Sequence, residues 1–127
     1  MHKLMLVGLG GFIGAVLRYV ISGSVQAFTQ SVAFPYGTLA VNISGCFLIG
    51  ICSHLVESQI GMTAEVRLLL MVGLLGSFTT YSTFGNETIN LLQDQRLFLA
   101  LLNVATHIIL GLSAVLLGRF TTITIWR

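Results

Sequence analysis

An all-α membrane protein with four transmembrane helices is the fold class this sequence predicts, and three observations predict it. Of its 127 residues, 55% are hydrophobic and 8% charged, whereas an ordinary soluble domain carries about a quarter charged residues. Mean hydropathy is +0.95. The apolar residues also fall into four runs, each close to the ~20 residues needed to cross a hydrocarbon core. A single domain is expected over residues 1–127, since this is one domain's length and no soluble insertion or low-complexity tail is visible.

The first span is expected at about Leu4–Ser22. His2 and Lys3 ahead of an apolar run resemble a signal peptide, but the glycine pattern, Arg18 and the lack of a small-residue cleavage site predict a retained helix. The second span, about Gly37–Leu55, follows a turn that contains the sole proline, Pro35. The third, about Val66–Leu92, is longer than a straight crossing requires. Its excess length predicts tilt or a local break, and Gly73–Thr80 is the expected place for the break. The fourth runs about Leu97–Gly118. Ser22–Tyr36, Ser58–Glu65 and Gln93–Arg96 are the connections.

Composition excludes several functions. A net charge of +2 from scattered basic residues does not make a nucleic-acid surface. Cys46 and Cys52 lie inside an apolar run, as packing thiols do, with no metal-binding or disulfide pattern. His2, His54 and His107 form no local metal motif, and no nucleophile–base spacing suggests an enzyme.

Orientation is weakly specified. With four spans both termini share a side. Lys3, Arg67, Arg119 and Arg127 fall on that side, and Arg18 and Arg96 on the other. Four against two is a slight bias under the positive-inside rule, compatible with one fixed orientation or with both. Four helices also leave little interior for a polar path, so oligomerisation is expected. Gly10/Gly14, Gly11/Ala15 and Ala40/Ser44 are small-residue pairs one turn apart, suited to close packing within one subunit or between two.

The chemistry concentrates in the spans. Thr38 and Asn42 lie one turn apart on the second. On the third, Thr79, Thr83, Asn86 and Asn90 recur as a polar stripe along one expected helical face, beside Ser82 and Glu87. On the fourth, Asn103, His107 and Gly111 share a line. Polar groups at this depth must meet a partner, water or a solute. Glu87 is the sole acid within the spans. The remaining donors are neutral: amides, hydroxyls and the electropositive edges of Tyr81 and Phe84. Such a set suits a small, strongly hydrated anion rather than a cation.

GGFIGAVLRY at Gly10–Tyr19, GTLAVNISG at Gly37–Gly45 and GLLGSFTTYSTF at Gly73–Phe84 resemble the motifs of the Fluc, or CrcB, family of fluoride channels. The resemblance covers nearly the whole chain, with one motif in each of the first three spans. It implies a passive, fluoride-selective channel that exports fluoride, as an antiparallel, dual-topology homodimer with two pores in the plasma membrane (the inner membrane in a Gram-negative cell). It also implies that Asn42 lines the pore and that Tyr81 and Phe84 occupy the two pore-phenylalanine positions. Ser82 and Thr83 match the hydroxyl pair that follows. With Thr38 and His107 these make up the expected fluoride pathway. The resemblance further implies a structural sodium ion at the dimer interface, held by backbone carbonyls of Gly76 and Thr79. Two positions depart from the family pattern: Tyr81 stands where phenylalanine is usual, and Gly111 where the fourth helix often has serine.

Two rival readings belong to other classes. A small multidrug-type, proton-coupled exporter has similar size and span count, but it relies on an acid in the first helix that is missing here. A non-transporting assembly subunit would account for the glycines but not for the polar stripe of the third span.

Overall fold

The computed structural model describes residues 1–126, and all regular structure in them is helical. Arg127, counted above among the charges on the side of the termini, lies outside the described residues. Four helical stretches are long and apolar enough to cross a membrane: His2–Thr29, Tyr36–Glu57, Ala64–Gln93 and Leu97–Ile125. The first, second and fourth are the continuous helices α1 (His2–Thr29), α2 (Tyr36–Glu57) and α6 (Leu97–Ile125). The third is composite. It starts as α3 (Ala64–Arg67), continues as a π-helical segment (Leu68–Leu75) and a short α4 (Gly76–Phe78), and resumes after two non-helical residues as α5 (Tyr81–Gln93).

α1 and α6 run about one to two turns beyond the expected spans. α1 has no proline to stop it before Gln30, which takes a left-handed conformation (φ 51°) and returns its amide to the Ala27 carbonyl. Gln26 then ties this end to the next helix: its amide nitrogen, Nε2, donates to the Phe34 carbonyl at 3.1 Å, and its Oε1 accepts from the Gly37 amide at 3.0 Å. At the other extension, Arg119 of α6 pairs with Glu57 at the end of α2. Thr121, Thr122 and Thr124 return their hydroxyls to carbonyls one turn back, which lets polar residues continue an apolar helix.

α2 is the central element. It packs most extensively on α6, and it also meets α1, the third span and α5. α1 packs on the π-helical segment and α4. These seams depend on the absence of side chains. A methyl group added at Gly14 would sit 2.1 Å from the Leu74 carbonyl oxygen, and one at Gly118 would sit 2.1 Å from that of Phe47. Close backbone approach of this kind holds helices together where lipid supplies no hydrophobic drive between them. Gly10 and Gly14, which left intra- and intersubunit packing open, are thus used within the chain.

The fully buried set is small: Val41, Asn103 and Thr122 are the largest side chains with almost no exposure. Leu9, Phe12, Val16, Leu101, Ile109, Leu112 and Leu116 face outward. Such an apolar exterior fits a lipid solvent, and the protein is a multi-pass membrane protein.

The third span departs from expectation in three respects. The interruption is confined to Thr79 and Thr80, the end of the expected Gly73–Thr80 stretch. Both are extended, at φ −84°, ψ 155° and φ −148°, ψ 112°. Neither glycine loosens the backbone: Gly76 is helical, and Gly73 lies in the π-helical segment, where it lets the Val7 carbonyl of α1 come close. Finally, the polar stripe is not one helical face, because the interruption separates Thr79 from Thr83. Thr83, Asn86 and Asn90 are exposed residues of α5, whereas the Thr79 hydroxyl donates to the Leu75 carbonyl at 3.0 Å.

Candidate functional site: the interrupted third span and its cavity

The interruption forms where α2 reaches the third span. Asn42 holds the Thr80 peptide on both sides: its Oδ1 accepts from the Thr80 amide at 2.8 Å, and its Nδ2 donates to the Thr80 carbonyl at 3.1 Å. A side-chain amide thus pairs with the backbone as a neighbouring strand would. Thr80 in turn caps α5. Its Oγ1 accepts from the Thr83 amide at 3.2 Å and donates to Thr83 Oγ1 at 3.0 Å, with Ser82 Oγ at 3.3 Å.

These two diversions have a shared consequence. In an unbroken helix the Thr80 amide would return to the Gly76 carbonyl, and the Thr83 amide to the Thr79 carbonyl. One goes to Asn42 and the other to the Thr80 side chain. The Gly76 and Thr79 carbonyls are therefore without their helical donors, three residues apart in the chain, and both residues line one cavity. Freed carbonyls of this kind are hard, neutral oxygen ligands, suited to a small cation.

That cavity, about 830 Å³, opens between α2, the third span and α6. Asn42, Thr80, Tyr81, Phe84 and His107 line it together with Gly76 and Thr79. No Asp, Glu, Lys or Arg lines it among the described residues. Three rings form a series along it. The Tyr81 and Phe84 centroids are 5.6 Å apart at 50°, and those of Phe84 and His107 are 4.4 Å apart at 43°. Tyr81 is 84% exposed in the single chain, so it stands at an open side of the cavity.

His107 is held by its own helix. Its Nδ1 lies 2.9 Å from the Asn103 carbonyl, which can only accept, so Nδ1 carries the proton. Its Nε2 is buried without a partner. Gly111, one turn on, also lines the cavity, but Asn103 does not continue the line. Asn103 is fully buried, and its Nδ2 donates to Thr88 Oγ1 at 3.0 Å, which joins α6 to α5.

The remaining pathway candidates lie elsewhere. Thr38 and Thr83 line a second cavity of about 430 Å³ that shares no residue with the first, with Gln26, Glu87, Asn90 and Asp94 also on its wall. Thr38 Oγ1 donates to Glu87 Oε1 at 2.6 Å. Ser82 is exposed on α5 and lines neither cavity. The structure therefore groups Asn42, Tyr81, Phe84 and His107 at one cavity, and Thr38 with Thr83 at another.

Thr80 was not singled out by sequence as more than a hydroxyl of the break. A weaker capping signal was present: threonine is among the preferred N-cap residues, and Thr80 stands just ahead of an amphipathic stretch. Gly45 was likewise unmarked, yet a methyl group there would lie 2.2 Å from Thr79 Cγ2.

Comparison with known proteins identifies the lineage. The family model described as CrcB-like protein, Camphor Resistance (CrcB), matches residues 5–119. The chain belongs to the CrcB family. Among curated relatives, "Fluoride-specific ion channel FluC 1" of Methanosarcina acetivorans is 44% identical over 125 residues, which covers 98% of this chain and 94% of the relative. "Fluoride-specific ion channel FluC" of Shewanella baltica is 47% identical over 120 residues, 94% of each. The protein of the same name from Magnetococcus marinus is 46% identical over 112 residues, 88% of this chain and 90% of the relative. These CrcB-family relatives are named as ion channels, not as enzymes.

Proposed function

We propose that this protein is a passive, fluoride-selective channel of the plasma membrane, and that it works as an antiparallel, dual-topology homodimer with two pores. The observation that carries this reading is the cavity beside the interrupted span, walled by Asn42, Tyr81, Phe84 and His107 and, among the described residues, free of charged side chains. The full-length likeness to relatives named for fluoride-specific channels supports it.

The physical argument concerns dehydration. Fluoride is small and strongly hydrated, so a pore must replace its water with closely spaced donors. The Asn42 amide carries two N–H groups, of which one is bonded to the Thr80 carbonyl, so the other is free to donate. The edges of Tyr81 and Phe84 present positive ends of ring quadrupoles. Together they offer partial positive charge without a formal charge that would trap the ion. Thr83 and Thr38 would pass it between donors in the second cavity, with the exposed Ser82 hydroxyl at the start of α5 beside Thr80.

The direction follows from acid–base chemistry. Neutral hydrogen fluoride crosses lipid, dissociates in a less acidic cytoplasm and leaves fluoride confined there. A passive channel then lets it leave down its gradient and lowers its toxicity.

A single chain leaves Tyr81 open to one side, which supports completion of each pore by a second copy. The weak charge bias permits the antiparallel arrangement. At the interface the freed carbonyls of Gly76 and Thr79, two from each copy, would hold a sodium ion. Bound there, the ion would supply charge that draws both broken helices to the dimer axis. The donor set fits such an ion: the oxygens are neutral and without helical donors, and no cluster of acidic or metal-binding side chains competes among the described residues.

The test is efflux from liposomes that contain the purified protein. Fluoride release with chloride retained supports the reading. No fluoride current, or an equal chloride current, removes it. Uptake of a lipophilic cation driven by a proton gradient would favour the multidrug-type exporter instead.

A further inference from the structure

We propose that Asn42 and Gly45 are positioning residues that hold the third span open at Thr79–Thr80, and that without them this stretch closes into continuous helix. The reading of Asn42 as a pore donor concerns its free N–H. The positioning role concerns the carbonyl and the other N–H, which are committed to the Thr80 peptide.

The local sequence does not force an interruption here. Leu74–Phe84 contains no proline. Threonines are only modestly worse than average in a helix, and Thr79 and Thr80 are preceded by a regular turn, Gly76–Phe78. Helices kink at proline, at glycine or serine pairs, at π-bulges, or where a side chain enters the hydrogen-bond ladder. Leu68–Leu75 is π-helical and Gly76–Ser77 is such a pair, but helix runs on past both to Phe78; at Thr80 itself a side chain enters the ladder. Asn42 Oδ1 takes the amide that belongs to the Gly76 carbonyl, and Asn42 Nδ2 compensates the Thr80 carbonyl. Thr80 is 7% exposed, so water is no ready substitute for these partners. If Asn42 is removed, the buried amide has one partner of comparable quality within reach of a small rotation: the Gly76 carbonyl. An unpaired buried amide is costly, so the ladder closes.

Gly45 makes the second half of the device. It lies three residues after Asn42, on the same side of α2, and lines the same cavity. The Thr79 methyl occupies the space where a Gly45 side chain would be, with Phe78 Cδ1 at 3.3 Å. α2 thus grips Thr80 with an amide and leaves a recess for Thr79. Closure would do two things at once. It would return a donor to the Gly76 carbonyl, and it would turn the start of α5, which carries Tyr81 and Phe84. The cation-ready carbonyls and the ring edges are therefore set by the same pair of α2 residues. The flux consequence rests on the channel reading above, whereas the backbone consequence does not.

The experiment uses the full-length protein in bilayers with 13C-labelled threonine. The Cα and Cβ shifts of Thr79 and Thr80 are read by solid-state NMR, and fluoride efflux is measured on the same preparations. Wild-type protein should give extended shifts at Thr80. Asn42→Ala should move them to helical values and lower fluoride efflux by about tenfold or more. Extended Thr80 shifts in Asn42→Ala would overturn the proposal, even with flux lost, because that is the signature of a pore-lining role alone. Gly45→Ala provides a second arm that leaves the Asn42 amide intact. It should shift the Thr79 resonances and lower efflux, and unchanged Thr79 shifts would overturn the proposal. If wild-type protein passes no fluoride, the channel reading fails, but the threonine shifts still decide the positioning role.

Discussion

The imidazole of His107 lies 4.4 Å from the ring of Phe84, centroid to centroid, and is fixed from behind by its Nδ1–H on the Asn103 carbonyl. α6 thereby sets the position of a ring on α5. His107→Ala removes this backing and leaves a void beside Phe84, whose ring is then free to turn its edge from the cavity. We expect fluoride efflux to fall by about tenfold, which corresponds to a barrier raised by roughly 1.4 kcal/mol. Liposome efflux checks this, and undiminished efflux would show that Phe84 needs no support from α6.

Phe84 itself should be less forgiving. Phe84→Ile keeps apolar bulk but abolishes the ring edge and its partial positive charge. Fluoride throughput should fall sharply while the protein still purifies as the wild type does. Retained throughput would take Phe84 out of the proposed pathway.

Tyr81 separates ring from hydroxyl. Among the described residues its hydroxyl has no hydrogen-bond partner, while its ring lies 5.6 Å from that of Phe84, tilted by 50°. Tyr81→Phe should therefore leave fluoride efflux within a few-fold of wild type, whereas Tyr81→Ile should reduce it as Phe84→Ile does. Single-channel or stopped-flow efflux on both variants distinguishes them. A large loss in Tyr81→Phe would assign the hydroxyl a direct role.

The pair Asn103–Thr88 predicts a stability effect. Asn103 is fully buried and gives its amide to Thr88 Oγ1 at 3.0 Å, with its own Oδ1 unpartnered. Thr88→Val deprives the amide of this partner and should cost about 1–3 kcal/mol. The double variant Asn103→Leu, Thr88→Val should recover part of that loss, since no orphaned amide is left. Reversible unfolding in mixed micelles measures both.

Sodium should stabilise the protein by mass action if the Gly76 and Thr79 carbonyls hold it. A ligand at a hundred times its Kd adds about 2.7 kcal/mol. Replacing sodium with a bulky organic cation at equal ionic strength should therefore lower the melting temperature and favour monomers. Equal melting curves in the two salts would leave these carbonyls without a cation.

Much of the fold was legible in composition and spacing. Apolar runs of membrane-crossing length define the four spans, because hydrocarbon requires every backbone group to be paired within a helix. Small residues one turn apart marked the seams, and Gly14 indeed meets the Leu74 backbone closely. The site was legible in part. Asn42, Tyr81, Phe84 and His107 stood out as polar or aromatic residues in the spans, and they line one cavity. Thr38 and Thr83 stood out for the same reason, yet they line another. Spacing within one helix cannot report which neighbouring helix closes a space.

The sequence by itself determined the membrane-spanning helices, their order and the stock of neutral donors in them, since these depend on hydrophobicity and local hydrogen bonding. Only the tertiary structure decided where the third span opens. Glycines suggested a stretch from Gly73, but Gly73 serves close packing against α1 and the chain opens at Thr79–Thr80. The reason is that a helix yields where a better partner takes an amide from its ladder. That partner, Asn42, lies 38 residues away in the chain and reaches Thr80 only once α2 is packed beside it.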